Sequence, residues 1–185
     1  YKIPARSKIE TAAENIARST RKTVLILDDD FLTDIDFAMH LLERCWRYKK
    51  RWIFQAKSGI FDHPDLFPKL RDSGVRIIYL KEDWLGPDIK DRIRDRSFLK
   101  QKENEVSIVH GNRITIGCKI RLGYAKEDQE FYQRLLKFLV KLRVDILEAA
   151  VQTPMPHTPT YESYAAAGQL TQDLALYDQW QPVVS

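Results

Sequence analysis

The sequence predicts an α/β fold built on a parallel β-sheet. Five short runs rich in Val, Ile and Leu alternate along the chain with segments of helical periodicity, which is the pattern of repeated β-α-β units. Each run is almost continuously apolar, as expected for strands that are covered on both faces. The predicted strands span residues 23–27, 52–56, 75–80, 114–122 and 145–152. The residues alone do not distinguish an open sheet from part of a barrel.

Three helices are predicted in the first half of the chain. Residues 7–20 and residues 34–48 carry apolar side chains at helical spacing. A shorter helix is expected to begin at Pro64, since proline suits the first turn of a helix, and to end at Gly74.

The second half continues the same alternation. Residues 87–110 are predicted to form one or two helices beginning at Pro87. The clearest helical pattern lies at 128–143, where four large apolar residues share one face. A last short helix is predicted from Pro159 to Ala167, followed by irregular chain.

Charge and hydropathy exclude several classes of partner. The 185 residues include 30 basic and 26 acidic ones, a net charge of +4. Charges of both signs are interleaved, as in residues 90–96, which is typical of a solvated helix surface rather than a nucleic-acid groove. No run reaches the roughly 18 apolar residues of a membrane span, and no signal peptide is visible. We therefore expect neither a nucleic-acid nor a membrane partner. A start at Tyr1 rather than Met suggests a piece of a longer chain.

The cysteines and histidines do not predict a metal site. Cys45 and Cys118 are the chain's two cysteines, and they are far apart in the sequence. They therefore form neither a disulfide framework nor a zinc-binding cluster, and the four histidines are isolated. Two buried thiols in a reducing compartment are the simplest interpretation, which predicts a cytoplasmic protein.

Polar side chains gather after the predicted strands, at the end where parallel α/β folds bind ligands. They are Asp28, Asp29 and Asp30; Gln55, Lys57 and Ser58; Lys81, Glu82 and Asp83; Lys119 and Arg121; Glu148 and Gln152. Charges after a strand can also be ordinary loop residues. Lys119 and Arg121 differ, because they lie within an apolar strand, where an unpaired charge is costly. They are expected to face an acidic partner, with Asp83 and Glu148 as candidates, or an anionic ligand.

A series of short motifs follows in order along nearly the whole chain. They are residues 24–31 (VLILDDDF), 52–56 (WIFQA), 62–66 (DHPDL), 74–79 (GVRIIY), 120–123 (IRLG), 152–161 (QTPMPHTPTY) and 176–178 (LYD). Their order and spacing resemble the barrel of the cobalamin-dependent (class B type) radical S-adenosylmethionine (SAM) enzymes. The proline–threonine segment at 152–161 is the most specific of these motifs.

The resemblance implies a partial TIM-like (β/α) barrel. Residues 1–158 would supply its strands two to six, and residues 159–185 would form a C-terminal helix and an extended tail. In the family, three cysteines in a C-x-x-x-C-x-x-C loop hold a 4Fe–4S cluster, which reduces SAM to a radical. This chain has no such triad, so SAM, the cluster and cobalamin are implied only for an intact parent enzyme with a cluster loop upstream of Tyr1.

The same resemblance selects candidate cofactor contacts. By position these are Asp29, Gln55 and Asp83, whereas no catalytic residue is assigned. Lys81 and Lys119 stand where the family usually has glycine, which lets the backbone approach a ligand closely. A lysine there would fill space that SAM needs, so the pocket is expected to differ from that of the family.

Three functions are compatible with these observations. The first is the distal portion of a radical SAM enzyme domain, whose substrate is unknown. The second is a degenerate, cluster-less barrel that binds an anionic small molecule, for which the ligand-binding candidates are Lys81, Lys119, Arg121, Glu148 and Gln152. The third is a structural or partner-binding module. Under each of them an open sheet edge is expected to be covered by an upstream domain or a second copy, because exposed edges are usually protected.

Overall fold

Five parallel strands, hydrogen-bonded to one another in chain order, form the centre of the molecule. The structure is a computed structural model that describes residues 6–123, 127–171 and 173–184, with side chains from Glu10 onward. The strands are β1 (Thr23–Leu25), β2 (Arg51–Ala56), β3 (Val75–Leu80), β4 (Thr115–Leu122) and β5 (Ile146–Val151). The sheet curls into a half-barrel, so the predicted α/β class with a parallel, partly closed sheet is confirmed.

The helices occupy the predicted segments with shifted ends. They are α1 (Arg6–Arg18), α2 (Ile35–Cys45), α3 (Leu66–Asp72), α4 (Ile89–Arg92), α5 (Arg96–Gly111), α6 (Gln129–Leu142) and α7 (Pro159–Ala166). Aspartates set three of the starts, because their carboxylates accept from backbone N–H groups of the first turn: Asp34 from Phe37 at 2.9 Å, Asp95 from Ser97 at 2.7 Å, and Asp128 from Phe131 at 2.7 Å. The expected start at Pro64 is wrong by two residues, since a 3₁₀ turn at Ser58–Asp62 occupies the chain just before it.

The two faces of the sheet have different surroundings. Side chains of alternate residues point to opposite faces of a strand, and the register aligns these faces across the sheet. The outer face is covered by the helices. Its buried residues are Trp52, Phe54, Ala56, Ile78, Leu80, Ile116, Cys118 and Ile120. The inner face carries the intervening positions. There Gln55 lies beside Tyr79, Tyr79 beside Gly117, and Lys119 beside Glu148.

A glycine on the inner face allows an aromatic ring to lie flat across β4. A Cβ added to Gly117 would stand 2.4 Å from Cδ1 of Tyr79, which is closer than real side chains approach. The Tyr79 ring therefore occupies the space that any larger residue at position 117 would fill. A glycine within a strand commonly marks such a close approach.

The two edges of the sheet end differently. In the described part of the chain, β1 pairs with β2 alone. Its inner-face residue Leu25 is 56% exposed, and Leu27, two residues beyond the strand, is 83% exposed. At the other edge, the backbone N–H of Val151 donates to the carbonyl of Gln179 in the tail at 2.7 Å. The division of the chain after residue 158 stays a prediction. No helix among the described residues is long and apolar enough to cross a membrane.

Candidate functional site

The two cations within β4 both have acidic partners at the carboxyl ends of the strands. The Lys119 ammonium lies 3.2 Å from a carboxylate oxygen of Glu148 on β5, as the sequence predicted. The Arg121 guanidinium lies 2.8 Å from Glu82, so Arg121 has an acidic partner that was not among the two candidates. Both pairs are only partly buried, which limits their contribution to stability to about 1 kcal/mol or less each.

Asp83 is turned toward a different strand. One of its carboxylate oxygens accepts hydrogen bonds from the backbone N–H and the hydroxyl of Ser58, at 2.8 and 2.7 Å. The residues Glu82–Trp84 form one turn of 3₁₀ helix after β3, which we call the hub turn. Its two acids point in different directions, and together they connect the ends of β2, β3 and β4.

The aspartates after β1 face the same rim. Asp29 is 80% exposed at its side chain, and its carboxylate lies 3.8 Å from the Lys81 ammonium. Asp30 is mostly buried and lies 3.6 Å from the ammonium of Lys57. The structure thus brings together the charged ends of β1, β2 and β3. Asp29 is the most accessible carboxylate of this group.

Two glutamines were also predicted at the site. The backbone carbonyl of Gln55 accepts from the N–H of Phe31 at 3.1 Å, and its half-buried side chain lies on the inner face. The backbone N–H of Gln152 donates to the carbonyl of Leu122 at 2.6 Å. The side-chain oxygen of Gln152 is buried and has no hydrogen-bond partner among the described residues. A buried acceptor of this kind is available to a ligand donor.

A cavity of about 420 Å³ lies between the chain that follows β3 and the end of β4. Its walls are apolar where Leu122 of β4 meets Phe131 and Leu135 of α6. Its charged lining is mixed, with three bases (Lys90, Lys119 and Arg121) and five acids (Glu82, Asp83, Asp88, Asp91 and Glu127). The volume is within the range of small-molecule sites.

A buried charged network supports the hub turn from below. The carboxylate of Glu105 on α5 accepts hydrogen bonds from the indole N–H of Trp84 at 2.6 Å, the Lys102 ammonium at 2.9 Å and the Gln101 amide at 2.8 Å. The side chains of Lys102 and Glu105 are 6% and 11% exposed. The Lys102 ammonium also lies 5.4 Å from the Trp84 ring and 5.5 Å from the Phe98 ring.

Sequence reasoning missed this network, although a signal was present. Phe98, Lys102, Glu105 and Val109 follow one another at spacings of four, three and four residues, and all are buried. Two opposite charges therefore lie on the apolar stripe of α5. In an ordinary surface helix the charged residues lie on the opposite, solvent-facing side. Their position on that stripe indicates a buried pair rather than a surface pair.

The two thiols do not fit an iron–sulfur cluster. Cys45 and Cys118 are both fully buried, Cys45 at the end of α2 and Cys118 on the outer face of β4. Burial raises the pKa of the Cys118 thiol to about 12 and also raises the pKa of Cys45. A cluster requires thiolates that converge on the iron atoms, and two protonated core thiols do not supply them. Among the described residues, no group of three or more metal-ligating side chains is present.

We expect both thiols to resist alkylation in the folded chain. At pH 8, iodoacetamide should label neither Cys45 nor Cys118, because the reactive thiolate is suppressed by burial. Above the ordinary thiol pKa of about 8.5, deprotonation favours the unfolded chain, so the stability from Cys118 declines as the pH rises toward 12. Mass spectrometry would report the labelling, with the urea-unfolded chain as the positive control. Rapid labelling of the folded chain would contradict the burial.

Comparisons with known proteins identify the fold. No family model matches the sequence, and no curated protein matches it. Among solved structures, the radical SAM methyltransferase TsrM from Kitasatospora setae, with cobalamin and a 4Fe–4S cluster bound, superposes with a TM-score of 0.68 at 16% identity. That match covers 87% of this chain and 31% of TsrM. A second TsrM structure, with tryptophan and the SAM analogue aza-SAM bound, gives 0.65 at 16% identity, covering 87% of this chain and 33% of that one.

A methylornithine synthase, PylB, gives a TM-score of 0.59 at 14% identity. The match covers 86% of this chain and 47% of the synthase. The chain has a radical SAM-type half-barrel fold. It spans about a third of the methyltransferase and about half of the synthase.

Proposed function

We propose that this chain is the distal portion of a radical SAM barrel and that it binds SAM across the carboxyl ends of its strands. The mixed-charge inner face, presented by a fold shared with SAM-binding enzymes, is the observation that carries the proposal. The reductive cleavage of SAM would belong to the parent enzyme, whose cluster would be held by residues outside this chain. We derive no cluster-dependent step for the residues described above.

The inner face has groups that suit each part of SAM. The exposed carboxylate of Asp29 can accept from an ammonium group, since hydrogen bonds between charged groups are the stronger ones. The Asp83 carboxylate, held in place by Ser58, can accept from hydroxyl groups. Leu25 provides exposed apolar surface on the inner face, and Gln55 lies on the same face.

A titration of the folded chain with SAM tests this assignment. Asp29→Asn should weaken SAM binding by about fivefold, which corresponds to the ~1 kcal/mol of a partly exposed charge pair. Asp72→Asn is the matched control, because Asp72 is an exposed acid at the end of α3 that pairs with its neighbour Arg71. Equal affinity in the wild type and Asp29→Asn would remove Asp29 from the site, and absence of SAM binding by the wild type would overturn the proposal.

A second candidate is a cluster-less barrel that binds an anionic small molecule. Lys119 and Arg121 in the lining of the cavity of about 420 Å³ support it, and an anion bound there would replace Glu148 and Glu82 as the partners of these two cations. In the same titration format, inorganic phosphate should then bind, and Lys119→Ala should abolish that binding. Under the first proposal, Lys119→Ala should instead leave SAM affinity unchanged or increased, because a side chain is removed from the inner face.

The open edge of β1 supports a proposal about assembly. We propose that a preceding segment of the same protein, or a second copy of the chain, covers this edge. Among the described residues β1 pairs with β2 alone, and the backbone groups on its other side form a free edge of the kind that proteins usually protect.

The finer family assignment is also a proposal. The proline–threonine segment at 152–161 and the similarity to a cobalamin-bound methyltransferase support an origin in a cobalamin-dependent enzyme. The described residues do not define a cobalamin site, so we assign none of them to that cofactor. A cytoplasmic location is part of the same proposal.

A further inference from the structure

We propose that Glu105 is a positioning residue, which fixes the acids of the hub turn through its hydrogen bond to Trp84. The proposal goes beyond SAM binding as such, and it depends on the proposed function only for the ligand-affinity measurement. Glu105 lies on α5 below the rim of the sheet, and Trp84 links it to that rim. Its role would be to hold Glu82 and Asp83 where Arg121 and Ser58 can reach them.

Two contacts restrain the Trp84 side chain. The residue is 1% exposed, and its indole N–H donates to Glu105 at 2.6 Å. The Lys102 ammonium adds a contact to the ring, with 5.4 Å between the ammonium and the ring centre. The indole is therefore held at its N–H by a hydrogen bond and at its face by a cation, so it has little rotational freedom.

A short backbone segment connects Trp84 to the two acids, Glu82 and Asp83. The hub turn is a single 3₁₀ turn, closed by the hydrogen bond from the Trp84 N–H to the Lys81 carbonyl at 3.0 Å. The N–H of Gly86 donates to the carbonyl of Glu82, also at 3.0 Å. Since one turn has few free torsions, fixing Trp84 fixes the backbone from which Glu82 and Asp83 project.

The two acids form hydrogen bonds with residues at the ends of two different strands. Glu82 accepts from Arg121 at the end of β4, and Asp83 accepts from Ser58 after β2. Displacing the hub turn would therefore break a contact on each side of β3. A positioning role accounts for a buried ion pair at this place, since such pairs often stabilise a fold no more than apolar side chains of equal volume.

The test compares two conservative variants by hydrogen exchange. Trp84→Phe keeps an aromatic ring in the core but removes the indole N–H, whereas Glu103→Gln is the control. Glu103 is on the same helix two residues from Glu105, and its carboxylate is exposed and lies 3.8 Å from Lys141. In Trp84→Phe, exchange at the amides of Ser58, Trp84 and Gly86 should accelerate about tenfold or more, as expected for loss of a hydrogen bond to a charged group.

The distribution of the change separates positioning from simple stabilisation. In Trp84→Phe, amides in β3 and α5 should accelerate only by the factor that the loss of global stability sets, and the amides of Ser58, Trp84 and Gly86 should accelerate by about tenfold more. Glu103→Gln should change none of these rates. Uniform acceleration over the whole molecule, or no acceleration at Ser58, would overturn the positioning role. SAM affinity should fall in Trp84→Phe alone. If the wild type fails to bind SAM, the proposed function fails, while the exchange data still decide the role of Glu105.

Discussion

Replacement of Glu105 by leucine is expected to lower the free energy of unfolding by about 3–5 kcal/mol. The Lys102 ammonium is 6% exposed, and Glu105 is its carboxylate partner at 2.9 Å. Without that partner the ammonium would remain buried and uncompensated, which is the costly way to break an ion pair. Urea denaturation would measure the loss as a lower midpoint at an unchanged slope.

The double variant Lys102→Met/Glu105→Leu provides the decisive comparison. It removes both charges, so about 2 kcal/mol of the lost stability should return. A deficit of about 1–3 kcal/mol should remain, because the indole N–H of Trp84 loses its acceptor. Glu103→Leu, at an exposed position on the same helix, should change stability by only about 0.5 kcal/mol. A double variant as unstable as Glu105→Leu would show that the ion pair does not explain the effect.

Replacement of Gly74 by alanine is expected to cost about 3 kcal/mol or more. Gly74 has φ +97°, a left-handed conformation that is strained for any residue with a Cβ. The added Cβ would also stand 2.3 Å from the carbonyl oxygen of Lys50, which is backbone and has little freedom to retreat. Lys50 is itself fixed, since its buried ammonium donates to the carbonyls of Ser19 and Arg21 at 2.7 and 2.8 Å.

Gly86→Ala separates the two causes. Gly86 has φ +78°, but a Cβ there would meet no atom within 4 Å. This variant should therefore show the cost of conformational strain alone, about 1–2 kcal/mol. Thermal or urea unfolding of both variants gives the comparison. Equal losses at the two positions would contradict the close approach of Gly74 to Lys50.

The strands were predictable because their signal is local. The runs at 75–80 and 114–122 are apolar and bounded by charge or glycine, and the structure places β3 and β4 within one residue of those limits. The run at 23–27 was predicted to be longer than β1, which ends at Leu25. The chain leaves the regular ladder there, although the Ile26 N–H still donates to the carbonyl of Ile53.

The partners at the site were only partly predictable. Glu148 was one of two candidate partners for Lys119 and Arg121, and the register places it beside Lys119. The partner of Arg121 depends on the hub turn, where consecutive side chains project in different directions. That geometry selects Glu82 and leaves Asp83 for Ser58. The spacing of residues in the sequence does not indicate which of the two acids faces Arg121.

Binding of SAM across the carboxyl ends of the strands is tested most directly by an NMR titration of the folded, ¹⁵N-labelled chain, because amide shifts locate even a weakly bound ligand. We expect shifts concentrated at Asp29, Gln55 and Asp83, with the amides near Asp72 unchanged. Shifts confined to other surfaces, or a folded spectrum that SAM leaves unchanged, would contradict it.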